Sequence, residues 1–509
     1  MTGRRGFIKQ SALASAALGL VSPIKAENGK KSIRGSKGRR PNIVFIMTDQ
    51  QRYDSLGFLG QGPLRTPNLD QLAASGCHFS RAYCPSPACG PSRASLFTGV
   101  YPATSGHRRN PDAHHADLPL FTNRLRAGGY QTALVGKRHL HPIEGDHGFA
   151  EMKLCDAHYD TYDADEGRLN AYFDYLAGLP GSPARDEIVA AGGKTEALGW
   201  KDPLFWLGKD WQGDPQHLTN WTAREACDFI DRQSGDDPYF LNVSFFGPHH
   251  PYRSAWPWTD LYDPSEMDLP DTLMREKKDP IFRELKGKMR AALRSWEPEY
   301  WQKFIAQYYG YMSQIDRAVG EIFNALKEKG EWENTWIVFA SDHGDHLGNW
   351  GLLGKTDPYE TSARIPLIIK PAGEEQIPPG GRKITANVNW LALHGTLLDI
   401  AGLPGWREDR RLETRSLLPL IEGDPSGWID ETALFWGRER DRYSMGFWRG
   451  DLKVVRLRRP DEDLIEIYNV AVDPLEEYNL YPEMRDTSEG RSLVAAARAW
   501  GDEQEARFR

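Results

Sequence analysis

Short apolar runs alternate with helical patterns over the first four hundred residues. The segment Asn42–Thr48 is a continuous, β-branched apolar run, which predicts a buried strand. Further strands are predicted at Gln131–Val135, Tyr239–Phe246, Thr335–Ala340 and Ile365–Ile369. Helices are predicted at Leu118–Ala127, from Ile315 to Leu326, and at Trp390–Ala401. This alternation predicts an α/β fold, with a large, mostly parallel sheet sandwiched by helices.

The pattern changes after about residue 405. Leu452–Leu457 and Leu464–Tyr468 are typical of antiparallel strands joined by a charged turn, and a helix is predicted from about Ser492. We therefore expect a smaller C-terminal α+β domain with a short antiparallel sheet. The predicted domains are residues 41–405 and 406–509.

Polar side chains follow four of the predicted strands at the point where each strand ends. They are Asp49 and Gln50, Lys137 and His139, His249 and His250, and Asp342 and His343. In open α/β sheets, ligands bind outside the carboxyl ends of the strands. A single polar pair of this kind is most often a turn or a helix cap, but four together predict one shared pocket.

Four of these residues carry side chains that bind hard cations. Asp49, Gln50, Asp342 and His343 offer mostly oxygen ligands and one imidazole. That set suits Ca²⁺, Mg²⁺ or Mn²⁺ better than a structural zinc ion.

Charge is distributed unevenly along the chain. The 509 residues carry a net charge of −8, and residues 1–40 hold ten Lys or Arg against one acid, so residues 41–509 carry −17. A body this acidic is not expected to bind nucleic acid. An anionic substrate would need local positive charge, and Lys137 and Lys355, each in a Gly-Lys pair, are the candidate anion clamps. With 40% hydrophobic residues, the chain as a whole is not disordered.

The N-terminus predicts export. Arg4-Arg5-Gly6-Phe7-Ile8-Lys9 precedes the short apolar stretch Ser11–Val21, a pattern typical of a bacterial twin-arginine (Tat) signal. We assign residues 1–26 to this signal and 27–40 to a basic linker. The stretch is too short for a membrane anchor, and no later run is long enough to span a bilayer. A periplasmic or extracellular location is expected, and the five cysteines do not indicate a disulfide scaffold.

The most specific segment is Cys89-Gly90-Pro91-Ser92-Arg93-Ala94-Ser95-Leu96-Phe97-Thr98-Gly99. It resembles the signature of the type I, formylglycine-dependent sulfatases of the alkaline phosphatase superfamily. The resemblance continues through ordered motifs at Pro41–Asp49, Thr66–Asp70, Gly136–His139, Pro248–Pro251, Ser341–Asp345, Gly354-Lys355, Tyr359-Glu360, Arg364–Pro366 and Asp473–Leu480. It implies an alkaline-phosphatase-like sheet and a sulfuric ester hydrolase.

The resemblance also implies a mechanism. A maturation enzyme would oxidise Cys89 to Cα-formylglycine, and one hydroxyl of the hydrated aldehyde would attack sulfur while the other later expels sulfate. Arg93 would orient the hydrate. Lys137, Lys355 and His139 would bind sulfate oxygens.

The remaining roles follow the same resemblance. One divalent metal, most readily Ca²⁺ with Mg²⁺ or Mn²⁺ as alternatives, would be held by Asp49, Gln50, residue 89, Asp342 and His343. The general acid for the leaving oxygen would be His249, with His250 as the less favoured choice.

Two positions depart from the common family pattern. Many members have Asp where this chain has Gln50, and Asn where it has His343. Both variants resemble a branch that includes phosphonate monoester hydrolases, in which an Asn at the position of Asn110 contacts substrate. With fewer carboxylates at the metal, the preference among metal ions and among singly and doubly charged substrates would shift. The substrate class, sulfate ester or phosphorus ester, therefore stays open.

Aromatic side chains fall between the predicted core strands, where specificity loops are expected. Together with one histidine they are Trp206, Trp211, His217, Trp256 and Trp258. They would stack on sugar rings, although each taken singly is equally well explained as core packing.

Three hypotheses follow. The first is an exported sulfatase acting on a sulfated glycan, or on a small sulfate ester, after maturation by a formylglycine-generating enzyme. The second is a phosphonate monoester or phosphodiester hydrolase with the same machinery. The third is a non-catalytic anion- or glycan-binding protein, in which Cys89 would remain a thiol.

Overall fold

Fifteen strands and thirteen helices form in the residues that the computed structural model describes. Those residues are 39–60, 62–110, 112–142, 144–156, 170–180, 201, 206–207, 213–235, 237–373 and 377–508. The strands are β1 (Asn42–Thr48), β2 (Cys77–Phe79), β3 (Ala82–Tyr83), β4 (Gln131–Gly136), β5 (Glu151–Leu154), β6 (Tyr239–Ser244), β7 (Thr335–Ser341), β8 (Arg364–Ile365), β9 (Leu367–Lys370), β10 (Arg382–Ile384), β11 (Val388–Asn389), β12 (Glu431–Glu439), β13 (Arg442–Arg449), β14 (Leu452–Arg459) and β15 (Glu462–Asn469). The helices are α1 (Pro67–Ala74), α2 (Cys89–Thr98), α3 (Pro102–Ser105), α4 (Phe121–Ala127), α5 (Ala171–Ala177), α6 (Leu218–Arg232), α7 (Pro280–Leu293), α8 (Pro298–Glu328), α9 (Glu360–Ala363), α10 (Ala392–Ile400), α11 (Leu418–Glu422), α12 (Tyr481–Met484) and α13 (Ser488–Ala506).

The large sheet is mostly parallel, which confirms the predicted fold class. Its eight strands lie in the order β10-β2-β9-β7-β1-β6-β4-β5. Strand β1 is buried along its whole length and pairs in parallel with β6 and β7. Only β9 runs antiparallel to its neighbours β7 and β2. The ends of β4, β6, β1 and β7 therefore lie side by side at one edge of the sheet.

The C-terminal region forms a separate small antiparallel sheet, as predicted. Strands β12 to β15 pair in sequence order, each antiparallel to the next. Helix α13 packs on this sheet through Leu493, Val494 and Ala497. Strands β14 and β15 and the terminal helix were predicted from the sequence, whereas β12 and β13 were not. The division at residue 405 stays a prediction.

Proline accounts for two of the differences between the predicted and the observed elements. The single strand predicted at Ile365–Ile369 is two strands, β8 in a three-stranded sheet with β3 and β11, and β9 in the large sheet. Pro366 separates them, because it lacks the N–H group that a continuous ladder needs. The helix predicted from Leu118 begins only at Phe121, since Pro119 disfavours helical geometry in the residue before it.

The predicted signal, residues 1–26, and nearly all of the linker lie outside the described residues. In the part of the chain that is described, no helix is both long enough and apolar enough to cross a membrane.

A buried ion cluster joins the small sheet to the large one. Lys453 of β14 is fully buried and lies 2.6 Å from Glu476 and 3.1 Å from Glu360, the first residue of α9. The backbone N–H of Glu360 also donates to Glu476 at 2.8 Å. Burial acts to lower the pKa of Lys453, but the charges of Glu476 and Glu360 outweigh it and raise that pKa. Burial raises the pKa of Glu476 to about 7.

We expect Lys453→Met to lower the free energy of unfolding by about 3–5 kcal/mol, because it leaves two buried carboxylates without their cation. Urea denaturation followed by circular dichroism measures this. Lys278→Met, at an exposed lysine, is the matched control and should leave the midpoint nearly unchanged. Equal midpoints for the two variants would show that the cluster does not stabilise the fold.

Candidate active site

Side chains from the ends of β1, β4 and β7 meet at one edge of the large sheet. Asp49 follows β1, and its Oδ2 lies 2.7 Å from Nζ of Lys137, which follows β4. Asp342 and His343 follow β7, and His343 Nε2 lies 3.6 Å from Asp49 Oδ1. All four side chains are almost completely buried. The structure thus brings together residues that are far apart in sequence.

Gly136, the last residue of β4, lets the chain turn Lys137 into this site. Its φ is +100°, in the region that glycine favours, and a Cβ there would collide with the carbonyl oxygen of Ser244. The neighbouring N–H of Lys137 donates to that same carbonyl at 2.8 Å. Any larger residue at position 136 would push Lys137 away from Asp49.

Cys89 is the first residue of α2 and lies at the centre of the cluster. Its Sγ accepts a hydrogen bond from Nζ of Lys355 at 2.9 Å and lies 3.2 Å from Nε2 of His343. Asp49 Oδ1 is 3.5 Å away. The side chain is almost fully buried, so these polar groups rather than water surround the sulfur.

The surroundings of Cys89 favour an anion. Burial acts to raise the pKa of the thiol, but the positive charges of Lys355, Lys137 and His343 lower it well below its usual value of 9.0. The helix N-terminus contributes in the same direction. His139 also hydrogen-bonds to the sulfur and lowers the pKa further.

Arg93 links the two carboxylates of the site. Its Nε lies 2.8 Å from Asp342 and its second terminal nitrogen 3.3 Å from Asp49. The other terminal nitrogen donates to the Lys137 carbonyl at 2.8 Å and to the Ser244 hydroxyl at 3.0 Å. Burial acts to raise the pKa of Asp49, yet the cations around it, Lys137 foremost, keep that pKa below its ordinary value.

The donor set fits a divalent cation. One ligand atom from each of Asp49, Cys89, Asp342 and His343 lies within 4.8 Å of the others. His343 Nδ1 donates to the Gly344 carbonyl at 3.0 Å, so Nε2 faces the cluster, where a bound cation would take the place of its proton.

Gln50 supplies the strongest indication of a cation. Its Nε2 donates to His250 Nδ1 at 3.2 Å and also to Asp345, so both amide hydrogens are used. Its Oε1 is buried and accepts no hydrogen bond. A buried acceptor without a donor is costly, and a cation beside Asp49 would satisfy it. The φ of Gln50 is +68°, a strained conformation that directs this amide into the site.

His249 lies close enough to Cys89 to hydrogen-bond with its sulfur. Its Nδ1 donates to the His250 carbonyl at 2.5 Å, which leaves Nε2 for the site. Burial and the charge of Lys355 both lower the pKa of His249. His250 stacks on His249 with ring centroids 4.2 Å apart, and its role here is to orient Gln50.

The other predicted residues lie in different surroundings. Asn110 accepts the N–H of Gly90 at 3.1 Å, next to Cys89. His217 caps α6 by accepting from the Thr219 N–H, and its second ring nitrogen contacts the Arg253 carbonyl. Both ring nitrogens of His217 are therefore used in packing, and its substrate role stays a prediction.

The tryptophans predicted to stack on sugar rings lie in different surroundings. Trp206 is buried against His250, with ring centroids 4.5 Å apart, and Trp258 donates to Asp214 at 2.7 Å, so both contribute packing or loop anchoring. Trp256 is 68% exposed. Trp211 lies outside the described residues.

Sequence reasoning missed the groups that orient the site. Asp345 accepts from Tyr252 at 2.7 Å and from the Gly354 N–H at 3.1 Å, besides its bond to Gln50. Ser92 donates to the Asp342 carbonyl at 2.7 Å. Asp345 lies in the motif Ser341–Asp345, and Ser92 lies in the motif Cys89–Gly99. Their places in these motifs are the only feature of the sequence that could have indicated their roles.

Comparison with known proteins identifies the family. Residues 41–403 match the family model described as Sulfatase. The chain belongs to the sulfatase family. It is a sulfuric ester hydrolase by this membership, in agreement with relatives named for that activity.

Two relatives illustrate the range of the family. An arylsulfatase of Clostridium perfringens is 29% identical over 450 residues, covering 84% of this chain and 90% of the relative. The multifunctional alkaline phosphatase superfamily protein PehA of Trinickia caryophylli is 31% identical over 422 residues, covering 77% and 79%.

Solved structures share the fold. The phosphonate monoester hydrolase of Agrobacterium radiobacter aligns with a TM-score of 0.72 at 23% identity, covering 92% of this chain and 96% of that one. A protein solved in complex with its substrate D-glucosamine-2-N,6-O-disulfate aligns with a TM-score of 0.71 at 21% identity, covering 92% and 98%.

We expect Gln50→Ala to weaken Ca²⁺ binding by about 10- to 100-fold, because it removes a buried acceptor oxygen that has no hydrogen-bond partner and lies beside Asp49. Titration calorimetry on the metal-stripped protein measures the affinity. Gln71→Ala, at an exposed position of α1, is the control and should bind Ca²⁺ as the parent does. An unchanged affinity for Gln50→Ala would remove Gln50 from the metal site.

Proposed function

We propose that the protein is an exported sulfatase that hydrolyses sulfate esters on a carbohydrate, with Cys89 oxidised to formylglycine as its nucleophile. One observation carries the mechanism: Lys355, Lys137 and Arg93 converge with two metal-type carboxylates around the buried side chain of residue 89. Binding alone would need the cations but not a thiol at their centre, which argues against a non-catalytic anion-binding protein.

Hydrated formylglycine at position 89 would supply the attacking hydroxyl. A divalent cation, most readily Ca²⁺, would favour the ionised form of that hydroxyl. The chain's own residues do the rest. Asp49, Gln50, Asp342 and His343 would hold the cation. Three fixed cations against two carboxylates leave the site positive, which suits an anionic substrate.

Lys355 and Lys137 would bind the oxygens of the sulfate group. Their ammonium groups lie 2.9 Å from the Cys89 sulfur and 2.7 Å from Asp49, respectively, so a sulfate approaching residue 89 would meet both. His139, which hydrogen-bonds to the same sulfur, would assist. Since Lys137 is buried and the Lys355 side chain is only 11% exposed, each interaction is stronger than it would be in water.

His249 would protonate the leaving oxygen. Its Nδ1–H is fixed on a backbone carbonyl, so Nε2 is the atom that gives up a proton to the substrate. Because its pKa is lowered, the protonated form is held only below the ordinary pKa of 6.5. The protonated form is needed when the sugar alkoxide leaves, because His249 then donates a proton to that oxygen.

Several observations support a carbohydrate substrate outside the cell. Relatives include an N-acetylglucosamine-6-O-sulfatase of Bacteroides thetaiotaomicron and an ulvan-active sulfatase of Formosa agariphila. The twin-arginine pattern at Arg4-Arg5 favours export. Trp256 leaves most of its indole free to stack on a sugar ring.

A second candidate is a phosphonate monoester or phosphodiester hydrolase. The alignment with the Agrobacterium radiobacter phosphonate monoester hydrolase supports it, as does an amide at Gln50 in place of a carboxylate. Turnover of an aryl sulfate, an aryl phosphonate monoester and an aryl phosphodiester separates the two. Sulfate turnover far below that of both phosphorus esters would favour the second candidate.

The test of the nucleophile is the mass of the proteolytic peptide that carries residue 89, from protein produced with a formylglycine-generating enzyme. We expect the mass of an aldehyde in place of the thiol, and labelling by an aldehyde-reactive probe. An unmodified thiol in otherwise folded protein would overturn the proposed mechanism.

We expect Cys89→Ala to abolish turnover of every substrate and Lys355→Ala to lower kcat/KM by about 10²–10³, since it removes one fixed cation from the transition state. Initial rates with an aryl sulfate measure both. Lys303→Ala, at an exposed lysine of α8, is the control. Near-parental activity of Cys89→Ala would refute covalent catalysis at this residue.

We expect His249→Ala to lower kcat by about 10²–10⁴ for a sugar sulfate but far less for 4-nitrophenyl sulfate, whose leaving group needs no proton. Lys355→Ala should reduce both rates alike. With the parent, sugar sulfate turnover should fall as pH rises through the lowered pKa of His249, because the acid form is lost there. Equal losses on both substrates would exclude His249 as the acid.

A further inference from the structure

The loop that carries Lys355 has a strained backbone. Gly354 and Thr356, on either side of it, have φ values of +73° and +85°. Glycine adopts such angles freely, but for a β-branched threonine the conformation costs about 1–3 kcal/mol. A backbone of this kind persists only where surrounding groups hold it, so the contacts of residues 354–357 decide where the Lys355 ammonium lies.

One buried side chain holds three consecutive residues of the loop. Nζ of Lys286, in α7, donates to the Lys355 carbonyl at 2.5 Å and to the Thr356 hydroxyl at 3.3 Å. It also pairs with Asp357 Oδ2 at 3.0 Å. Lys286 is only 4% exposed. Its three donors are thus all used on the segment that presents Lys355.

The segment is fixed on its other side as well. His346 Nε2 lies 2.6 Å from Asp357, and the His346 N–H donates to the Gly354 carbonyl at 2.8 Å. Without Lys286, Asp357 would keep His346 and the Lys355 carbonyl would keep the Thr356 hydroxyl as a donor, but the carbonyl would lose one of its two donors and the hydroxyl would lose the donor it accepts from. The turn between residues 354 and 357 would then be free to relax.

Lys286 is held from the C-terminal side. Helix α7 packs against β15, and the N–H of Ile281 in its first turn donates to Glu466 of that strand at 2.7 Å. Arg459 at the end of β14 pairs with Glu284 of the same helix at 2.5 Å. Helix α7, which carries Lys286, is thus anchored on the small sheet.

We propose that Lys286 is a positioning residue, which holds the Lys355 ammonium at the sulfate-binding position through the backbone of residues 355–357. This rests on the role given to Lys355 in the proposed function. Lys286 touches no reacting atom: its whole effect passes through the loop. The inference therefore predicts that Lys286 matters only while Lys355 is present.

A double-mutant cycle in the matured, metal-loaded protein tests this. Lys286→Met should lower kcat/KM for an aryl sulfate by about 10- to 100-fold. It should also weaken product inhibition by inorganic sulfate. In the Lys355→Ala background, Lys286→Met should change neither quantity by more than about twofold, because coupled residues are not additive. Lys286→Arg, which keeps the charge and the donors, should recover part of the loss.

Lys288→Met, two residues along the same helix but exposed, is the matched control and should behave as the parent. If Lys286→Met fails to fold, Asp357→Asn replaces it in the cycle, since it breaks the same ion pair without changing size. Equal losses in both backgrounds, or no loss in the parent, would overturn the inference.

The two proposals fail in different ways. If Lys355→Ala is as active as the parent, the role of Lys355 in the proposed function is wrong, and the inference about Lys286 falls with it. If Lys355→Ala is impaired while Lys286→Met is not, only the inference about Lys286 is wrong.

Discussion

The architecture of the site depends on the pairing of Arg93 with two buried carboxylates. Asp49 and Asp342 end neighbouring strands, so the parallel sheet forces two negative charges together in a place without water. Arg93 bonds both and thereby compensates a desolvation cost of several kcal/mol per ion. Because Arg93 lies four residues after Cys89 on α2, the two side chains share one face of the helix. That face therefore positions both Cys89 and the arginine that pairs with Asp49 and Asp342.

Three of the seven non-glycine residues with positive φ in the described part of the chain lie where the site is built. Gln50, His139 and Thr356 all have positive φ values, and each adjoins or belongs to the group around Cys89. Such angles are unfavourable for residues other than glycine, so neighbouring bonds must hold them. Gln50 is held by His250 and Asp345, and Thr356 by Lys286. The site is thus shaped by a second layer of buried polar groups.

The sequence predicted the sheet and the residues at its edge, for a physical reason. Parallel strands align their carboxyl ends, so Asp49, Lys137 and Asp342, each close after a predicted strand, could be expected together. The antiparallel pairings of β9 were not predictable in the same way, since short apolar runs do not encode direction. The split at Pro366 was visible in the sequence, since a proline inside an apolar run interrupts a strand. Nor were the partners of Gln50, because hydrogen bonds between distant loops follow from tertiary packing.

The small C-terminal sheet is part of the active site's construction, although the change of sequence pattern near residue 405 predicts a separate domain. Lys453 and Glu476 hold Glu360, five residues after Lys355, in a fully buried cluster. Helix α7, anchored on Glu466, holds the residues directly after Lys355. Both ends of the segment from Lys355 to Glu360 are thereby tied to the C-terminal strands. A change at that interface would reach the Lys355 ammonium through the backbone, without any contact between the small sheet and the substrate.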